Sequence, residues 1–263
     1  MLFRSREGNN LLLRIVAALV MAPLAIAIAY AGGWLWTGLV TIAAMGLYAE
    51  WLTVIGVRNL PLLLLGALVL LGAAWVGSGH FTAANVAIVV ALGVAVAAIF
   101  SRERRGWAVL GAGYALAASI ASSIVRLDPD AGFAALMLVL LTVWATDIGG
   151  YFAGRLIGGP KLWPQVSPKK TWAGAVGGFV ASLAVAGGFA AFHLGKIIPL
   201  LLLAAALSVA AQLGDLFESA VKRRFGVKDS SHIIPGHGGL LDRLDGFVAA
   251  VVVAALLDRK SVV

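Results

Sequence analysis

Long apolar runs recur along the whole chain, and they constrain its fold more than any other feature. A helix needs roughly 20 apolar residues to cross a bilayer, and backbone polar groups inside lipid must be hydrogen-bonded internally. The sequence therefore predicts an all-α polytopic membrane protein with about nine spanning helices. The runs are Leu11–Ala31, Trp34–Ile55, Leu60–Val76, Thr82–Phe100, Trp107–Val125, Gly132–Gly149, Trp172–Phe192, Ile197–Ser219 and Leu240–Leu257.

Composition supports a lipid environment. Of the 263 residues, 61% are hydrophobic and 12% are charged, whereas soluble domains carry roughly a quarter charged residues. There are no cysteines, which excludes disulfides and thiolate metal sites. The first run could instead be a signal peptide, because Ala25-Ile26-Ala27 resembles a cleavage site, but its length favours a span. We expect one integral membrane domain over 1–263, with N-terminal helices in 1–131 and a catalytic half in 132–263.

The distribution of basic residues predicts the orientation. With the amino terminus inside and nine alternating spans, 16 of the 20 Lys and Arg residues fall on the cytoplasmic side, as the positive-inside rule requires. The net charge of +8 then reflects contact with anionic membrane lipids rather than nucleic acid. Cytoplasmic loops are expected over 150–171 and 220–239.

Acidic residues within or beside the spans are candidates for function, since charges are costly in lipid. In the predicted topology each lies near the cytoplasmic end of its helix. These residues are Glu50, Asp147, Asp215, Glu218, Asp242 and Asp245. Separate helices would thus bring carboxylates to one depth of the inner leaflet.

The loop over 150–171 ends in the string Ser-Pro-Lys-Lys-Thr-Trp, from Ser167 to Trp172. A basic anchor before a helix would explain this string without any site. However, Thr171 is also placed as a helix N-cap, and a helix amino terminus beside Lys169 and Lys170 attracts phosphate.

The loop over 220–239 is more informative because carboxylates flank it on both sides. Asp215, Glu218 and Lys222 recur at helical spacing and share one stripe, and Asp242 and Asp245 stand three residues apart. Two acidic helix ends joined by a basic, glycine-rich loop make a plausible Mg²⁺ and phosphate site, since Mg²⁺ binds one or two carboxylates together with substrate phosphates. No histidine spacing suits zinc, and the sequence contains no P-loop, nucleophile elbow or dinucleotide fingerprint.

This region resembles the phosphatidate cytidylyltransferase (CDP-diglyceride synthase) family. The family signature has a serine, Lys-Arg, Lys-Asp, His-Gly-Gly and Asp-Arg-x-Asp in order. Here these are Ser219, Lys222-Arg223, Lys228-Asp229, His237-Gly238-Gly239 and Asp242-Arg243-Leu244-Asp245. The strings beginning at Gln212, Asp147 and Ser167 are also similar to the family, so the resemblance covers the carboxyl-terminal half.

The resemblance implies transfer of a cytidylyl group from CTP to phosphatidic acid, with release of pyrophosphate. Asp215 and Asp242 would be the leading Mg²⁺ ligands, followed by Asp245 and Asp147; a second cation stays open. The basic residues would neutralise the phosphates, and the two glycines would allow close backbone approach. The catalytic set is Asp215, Lys222, Asp242 and Asp245, and the substrate-binding set is Ser167, Lys169, Lys170, Thr171, Ser219, Arg223, Lys228, Asp229, His237, Gly238, Gly239 and Arg243.

The sequence leaves two rival functions open. A CDP-alcohol phosphotransferase is a rival reading, but its Asp-Gly-x-x-Ala-Arg string is missing from the sequence. An ion or phosphate transporter is another, although transporter sites usually lie near the midplane. We expect the inner membrane of a bacterium, a cytoplasmic active site, and either a single chain or a homodimer formed through small-residue faces.

Overall fold

A computed structural model describes residues 20–231, 233 and 238–257. Within this part of the chain, helices follow one another almost without interruption. Their bounds are α1 Val20–Ala31, α2 Gly33–Val54, α3 Leu60–Gly77, α4 Ala83–Phe100, α5 Arg105–Leu127, α6 Gly132–Leu156, α7 Trp172–Ala191, α8 Ile197–Arg224 and α9 Leu241–Leu257. Two short strands, β1 Lys161–Trp163 and β2 Ser167–Thr171, lie between α6 and α7.

Seven of the described helices, α2 to α8, are long and apolar enough to cross a membrane. Their outward faces are themselves apolar: Leu64 and Leu68 of α3 are well exposed, whereas Leu62 and Leu70 on its other face are buried. An exposed apolar stripe of this kind suits lipid rather than water. The predicted all-α polytopic membrane fold is thereby confirmed. The number of spans and the position of the amino terminus stay predictions, since α1 and α9 are shorter over their described residues.

The chain divides into two compact units. Unit 1 comprises Met1–Leu116 and Val227–Asp242, and unit 2 comprises Ala117–Gly226 and Arg243–Val263. The chain therefore passes from one unit to the other three times: within α5, after α8 between Gly226 and Val227, and within α9. The prediction of one membrane domain over 1–263 stays a prediction.

In unit 1, α3 packs against both α2 and α4. Side-chain caps define where the helices begin: Asn59 accepts a hydrogen bond from the backbone N–H of Leu62 at 3.0 Å, and Thr82 accepts one from Asn85 at 3.1 Å. Such caps satisfy N–H groups that have no partner within the first turn of a helix. Trp51 of α2 is fully buried, and its indole N–H donates to the carbonyl of Trp107 at 2.8 Å.

In unit 2, α6 packs closely along α7 because glycines line the contact. A Cβ built on Gly174 would lie 2.8 Å from the carbonyl oxygen of Gly150, and one on Gly149 would lie 2.6 Å from Cβ of Ala181. Small residues let helices approach closely in lipid, where packing replaces the hydrophobic effect as the driving force. Asp128 Oδ1 accepts hydrogen bonds from the N–H groups of Ala131 and Asp130 ahead of α6, and these bonds hold the pKa of Asp128 below its ordinary value.

The predicted loop bounds of 150–171 and 220–239 are wrong at their first residues. The α6 helix continues past Gly150 to Leu156, and α8 continues past Ala220 to Arg224. Hydropathy shows where apolar side chains stop, whereas a helix ends where its hydrogen bonding is interrupted. Here the interruptions are glycines with positive φ, 70° at Gly158 and 71° at Gly226, a conformation typical of the residue after a helix.

The strands β1 and β2 were not predicted. They pair antiparallel, with Lys161 opposite Thr171 and Trp163 opposite Ser167, around an irregularity in the register. The backbone N–H of Trp172 then donates to the carbonyl of Pro160 at 3.1 Å and closes the hairpin at the start of α7. This hairpin presents the predicted Lys169 and Lys170.

Candidate active site

Unit 2 gathers carboxylates from three helices. Asp147 lies on α6, Asp215 on α8 and Asp245 on α9, and the first and last lie within electrostatic range of Asp215. Gly214 allows this gathering, since a Cβ there would lie 2.6 Å from the backbone oxygen of Asp245. A larger residue at this position would push α8 away from α9.

Lys170 supplies the positive charge at this cluster. Its Nζ forms an ion pair with Oδ2 of Asp215, and both side chains are about 30% exposed, at 30% and 29%. Ser219, one helical turn further along α8, donates from its hydroxyl to Oδ1 of Asp215 at 3.4 Å. Arg243, which is exposed, also lies within electrostatic range of Asp147. We call Asp147, Lys170, Asp215, Ser219, Arg243 and Asp245 the acidic cluster.

The start of α7 lies directly beside Lys170 in the sequence. Thr171 is buried, and its Oγ1 accepts a hydrogen bond from the N–H of Gly174 at 3.1 Å. The predicted N-cap role of Thr171 is therefore confirmed. Lys169 and Ser167 lie on the same strand, with Lys169 exposed and Ser167 half-buried.

Lys222 is not presented to the solvent as a free charge. It forms an ion pair of 2.8 Å with Glu218, and the exposed fractions of the two side chains are 11% and 1%. The predicted stripe of Asp215, Glu218 and Lys222 does lie on one helix, but its last two members pair with each other. Arg223, the next residue, is exposed near the end of α8.

The remaining predicted residues lie in unit 1. Lys228 and Asp229 are exposed, whereas Asp242 is half-buried. Oδ2 of Asp242 accepts hydrogen bonds from the N–H of Gly239 at 2.9 Å, the N–H of Ser230 at 3.0 Å and the Ser230 hydroxyl at 3.1 Å. His237 lies outside the described residues.

The two predicted glycines are required by this local geometry. Gly238 has a φ of 83°, a conformation that side chains disfavour, and a Cβ there would lie 3.0 Å from Oδ2 of Asp242. A Cβ on Gly239 would overlap the Ser230 hydroxyl and lie 2.6 Å from Oε2 of Glu50. Any side chain at Gly239 would therefore displace the loop.

Sequence analysis named Glu50 among the candidate functional carboxylates without a specific role, and it did not single out Ser230 or Ser231. Glu50 is 2% exposed, and its carboxylate accepts hydrogen bonds from both serine hydroxyls, at 2.8 Å from Ser230 and 2.6 Å from Ser231. Glu50 is the single charged residue of the α2 sequence. An isolated charge in a spanning helix is costly, and this cost is what marked Glu50 as a candidate. Nothing in the sequence singled out the two serines.

The donor set of unit 2 fits a hard cation such as Mg²⁺, since its ligands are carboxylate oxygens. Over residues 20–231, 233 and 238–257, no three His, Cys, Asp or Glu side chains are arranged to hold a metal ion by themselves. Mg²⁺ usually keeps several waters and is bound by one or two carboxylates with substrate phosphates. Asp215 with Asp147 or Asp245 suits this mode of binding, in which a nucleotide completes the shell.

Comparison with known proteins agrees with these features. A family model described as "Cytidylyltransferase family" matches residues 12–259. A protein of Brucella suis biovar 1 (strain 1330), named phosphatidate cytidylyltransferase, is 38% identical over 263 residues, which cover 95% of this chain and 92% of that protein. Proteins with the same name from Staphylococcus haemolyticus and Bacillus subtilis are 52% and 47% identical over 116 and 122 residues, or 43% and 44% of this chain and 44% of each relative.

Proposed function

We infer that this chain, which belongs to the cytidylyltransferase family, transfers a cytidylyl group from CTP to phosphatidic acid, forming CDP-diacylglycerol and pyrophosphate. The observation that carries this function is the 38% identity, over almost the full length, to a protein named phosphatidate cytidylyltransferase. The geometry of unit 2 supports it, because carboxylates on long, mainly apolar helices gather beside Lys170 of β2. The chain is thus a nucleotidyltransferase of phospholipid biosynthesis.

The chemistry requires charge and positioning more than a strong base. A phosphate oxygen of phosphatidic acid attacks the α-phosphorus of CTP. The new oxygen–phosphorus bond forms as the bond to the β-phosphate oxygen breaks, and pyrophosphate leaves with that electron pair. The second pKa of a phosphate monoester is about 6, so the nucleophile is already largely dianionic at neutral pH. The main obstacle is to bring two polyanions together and to stabilise the leaving group.

The acidic cluster provides groups for both tasks. Asp215, with Asp147 or Asp245, would hold Mg²⁺, which when bound neutralises phosphate oxygens and orients the triphosphate. Lys170 lies at the same carboxylate and would pair with a phosphate. The amino terminus of α7, beside Lys169, would add partial positive charge.

The residues of unit 1 would contribute through substrate contacts. Lys228 is exposed and available for a CTP or phosphatidate phosphate, while Asp229 beside it would orient that lysine or accept from cytosine. Asp242 as a Mg²⁺ ligand stays a proposal, and its Oδ2 is already engaged by loop donors. A second cation also stays a proposal.

We place the reaction at the cytoplasmic face of a bacterial inner membrane. The support is the distribution of charge, with 16 of the 20 basic residues on one side in the predicted topology. Phosphatidic acid would then enter sideways from the inner leaflet. A homodimer stays a prediction.

An assay on purified protein in lipid vesicles tests this function. With CTP, Mg²⁺ and phosphatidic acid, we expect pyrophosphate and CDP-diacylglycerol in equal amounts, and neither product when phosphatidic acid is replaced by diacylglycerol. A transporter would release no pyrophosphate. A CDP-alcohol phosphotransferase, which consumes CDP-diacylglycerol and releases CMP, would release no pyrophosphate from this mixture either, so the absence of pyrophosphate would exclude the proposed reaction.

A further inference from the structure

Glu50 is a buried carboxylate that the proposed chemistry does not use. It is 2% exposed and lies near the carboxyl end of α2. A charge removed from water in this way is costly unless hydrogen bonds compensate it. The donors that compensate it show what Glu50 holds.

Both oxygens of Glu50 are used, and each accepts one serine hydroxyl and one backbone N–H. Oε1 accepts from Ser231 Oγ at 2.6 Å and from the N–H of Leu240 at 2.9 Å. Oε2 accepts from Ser230 Oγ at 2.8 Å and from the N–H of Leu241 at 2.7 Å. All four donors come from residues 230–231 and 240–241, at sequence separations of 180 to 191 from Glu50.

These residues lie within the span of the family signature, and one of their donors, the Ser230 hydroxyl, is shared with Asp242. The Ser230 hydroxyl lies 2.8 Å from Oε2 of Glu50 and 3.1 Å from Oδ2 of Asp242. A hydroxyl has one proton, so Ser230 donates to one carboxylate at a time. The N–H of Ser230 also binds Asp242 at 3.0 Å. Glu50 is thus coupled through Ser230 to the orientation of Asp242.

We propose that Glu50 is a positioning residue: as an anion, it fixes residues 230–231 and 240–241 and through Ser230 the side chain of Asp242, without contacting substrate. The catalytic part of this proposal rests on the proposed function. The anion is needed because both oxygens accept hydrogen bonds from backbone N–H groups, of Leu240 and of Leu241. An amide in either orientation would place its NH₂ group against a backbone N–H, of Leu240 or of Leu241.

Glu50→Gln tests the proposal, because it preserves shape while removing the charge. Leaving a buried donor unpaired costs about 1–3 kcal/mol, which corresponds to a factor of about 5 to 160. We expect amide hydrogen exchange at Leu240 and Leu241 to accelerate by about that factor. We also expect kcat to fall by at least about tenfold, with KM for phosphatidic acid unchanged. Glu103→Gln, at an exposed glutamate of unit 1, should leave both measurements at their wild-type values.

A second variant covers the case in which Glu50→Gln fails to fold. Ser231→Ala removes one of the four donors and leaves the carboxylate in place, so smaller changes of the same sign are expected in exchange and kcat. If the variant that folds shows hydrogen exchange and kcat equal to those of the wild type, the proposal is wrong. It is also wrong if hydrogen exchange is faster while kcat is unchanged. A merely structural role would lower stability and leave kcat per folded molecule unchanged.

The failure of the proposed function is separable from the failure of this proposal. If the wild-type protein makes no CDP-diacylglycerol, the proposed reaction is wrong. Hydrogen exchange in Glu50→Gln then decides alone whether Glu50 holds residues 230–231 and 240–241, since it requires neither CTP nor lipid. Unchanged exchange would reject that anchoring role as well.

Discussion

Lys170 of β2 forms an ion pair with Asp215 of α8. The hairpin ahead of α7 therefore contacts the helix that carries Asp215, the leading candidate for a metal ligand. The lysine occupies one carboxylate oxygen, and the Ser219 hydroxyl contacts the other at 3.4 Å. A cation that binds Asp215 must therefore compete with, or share, the contact made by Lys170.

Replacing Lys170 should affect catalysis more than stability. The pair is about 30% exposed, and exposed pairs contribute little, about 0–1 kcal/mol. If Lys170 neutralises a phosphate, Lys170→Gln should lower kcat/KM for CTP by about ten- to a hundredfold, in line with a lost charge-assisted hydrogen bond. Lys196→Gln, at an exposed lysine ahead of α8, serves as the control. Equal kinetics for the two variants would remove Lys170 from the substrate site.

Asp215→Asn should weaken the dependence on Mg²⁺ directly. Carboxylates are preferred ligands of Mg²⁺, so we expect the Mg²⁺ concentration for half-maximal activity to rise by about tenfold or more. A titration of initial rate against MgCl₂ measures this change. Asp130→Asn, at an exposed aspartate of the loop 128–131, should match the wild type. An unchanged Mg²⁺ curve for Asp215→Asn would exclude Asp215 as a ligand.

Thr171→Ala should destabilise unit 2 by removing the cap of α7. Loss of a threonine N-cap costs about 1 kcal/mol, which lowers Tm by roughly 2–4 °C in a protein of this size. Thr171→Ser keeps the hydroxyl that accepts from Gly174 and should retain most of the stability. Thermal unfolding of the detergent-solubilised proteins compares the two variants; equal midpoints for Ala and Ser would show that the cap is unimportant.

Two glycines of α7 should respond oppositely to alanine. A Cβ on Gly174 meets the backbone of Gly150 at 2.8 Å, whereas one on Gly187 meets nothing within 4 Å. Overpacking against backbone typically costs about 1–3 kcal/mol, while alanine is a better helix former than glycine by about 1 kcal/mol. Gly174→Ala should therefore lower Tm, and Gly187→Ala should leave it unchanged or raise it. A loss of stability in both variants would contradict the close crossing of α6 and α7.

Lys222 can be tested separately as a structural and as a catalytic residue. Lys222→Met leaves Glu218 buried at 1% exposure without its cation, and breaking a buried pair costs about 3–5 kcal/mol. We expect poor folding in this variant. The double variant Glu218→Leu/Lys222→Met removes both charges and should regain stability, as judged by Tm. Full activity in the double variant would show that Lys222 is not catalytic, whereas a stable but inactive protein would support the predicted role.

The sequence predicted the helices well where hydropathy and helix ends coincide. The described bounds of α3 and α4, Leu60–Gly77 and Ala83–Phe100, each differ from the predicted run by one residue at one end. The sequence prediction ended α6 and α8 too early. The last turns of these helices carry charged residues and glycines, so they are not apolar although the helical hydrogen bonding continues through them. The hairpin of β1 and β2 was missed, since a three-residue strand has no periodicity to detect.

By itself, the sequence determined that this chain is an all-α membrane protein, and its signature from Ser219 to Asp245 identified the family. Those properties depend on residue type and spacing along the chain, which a sequence displays directly. Only the tertiary structure decided that Lys170 pairs with Asp215 and that Glu50 binds the loop residues beside Asp242. Such partners are set by which helices and loops pack together, and sequence separations of 45 and 191 residues leave no local trace of that packing.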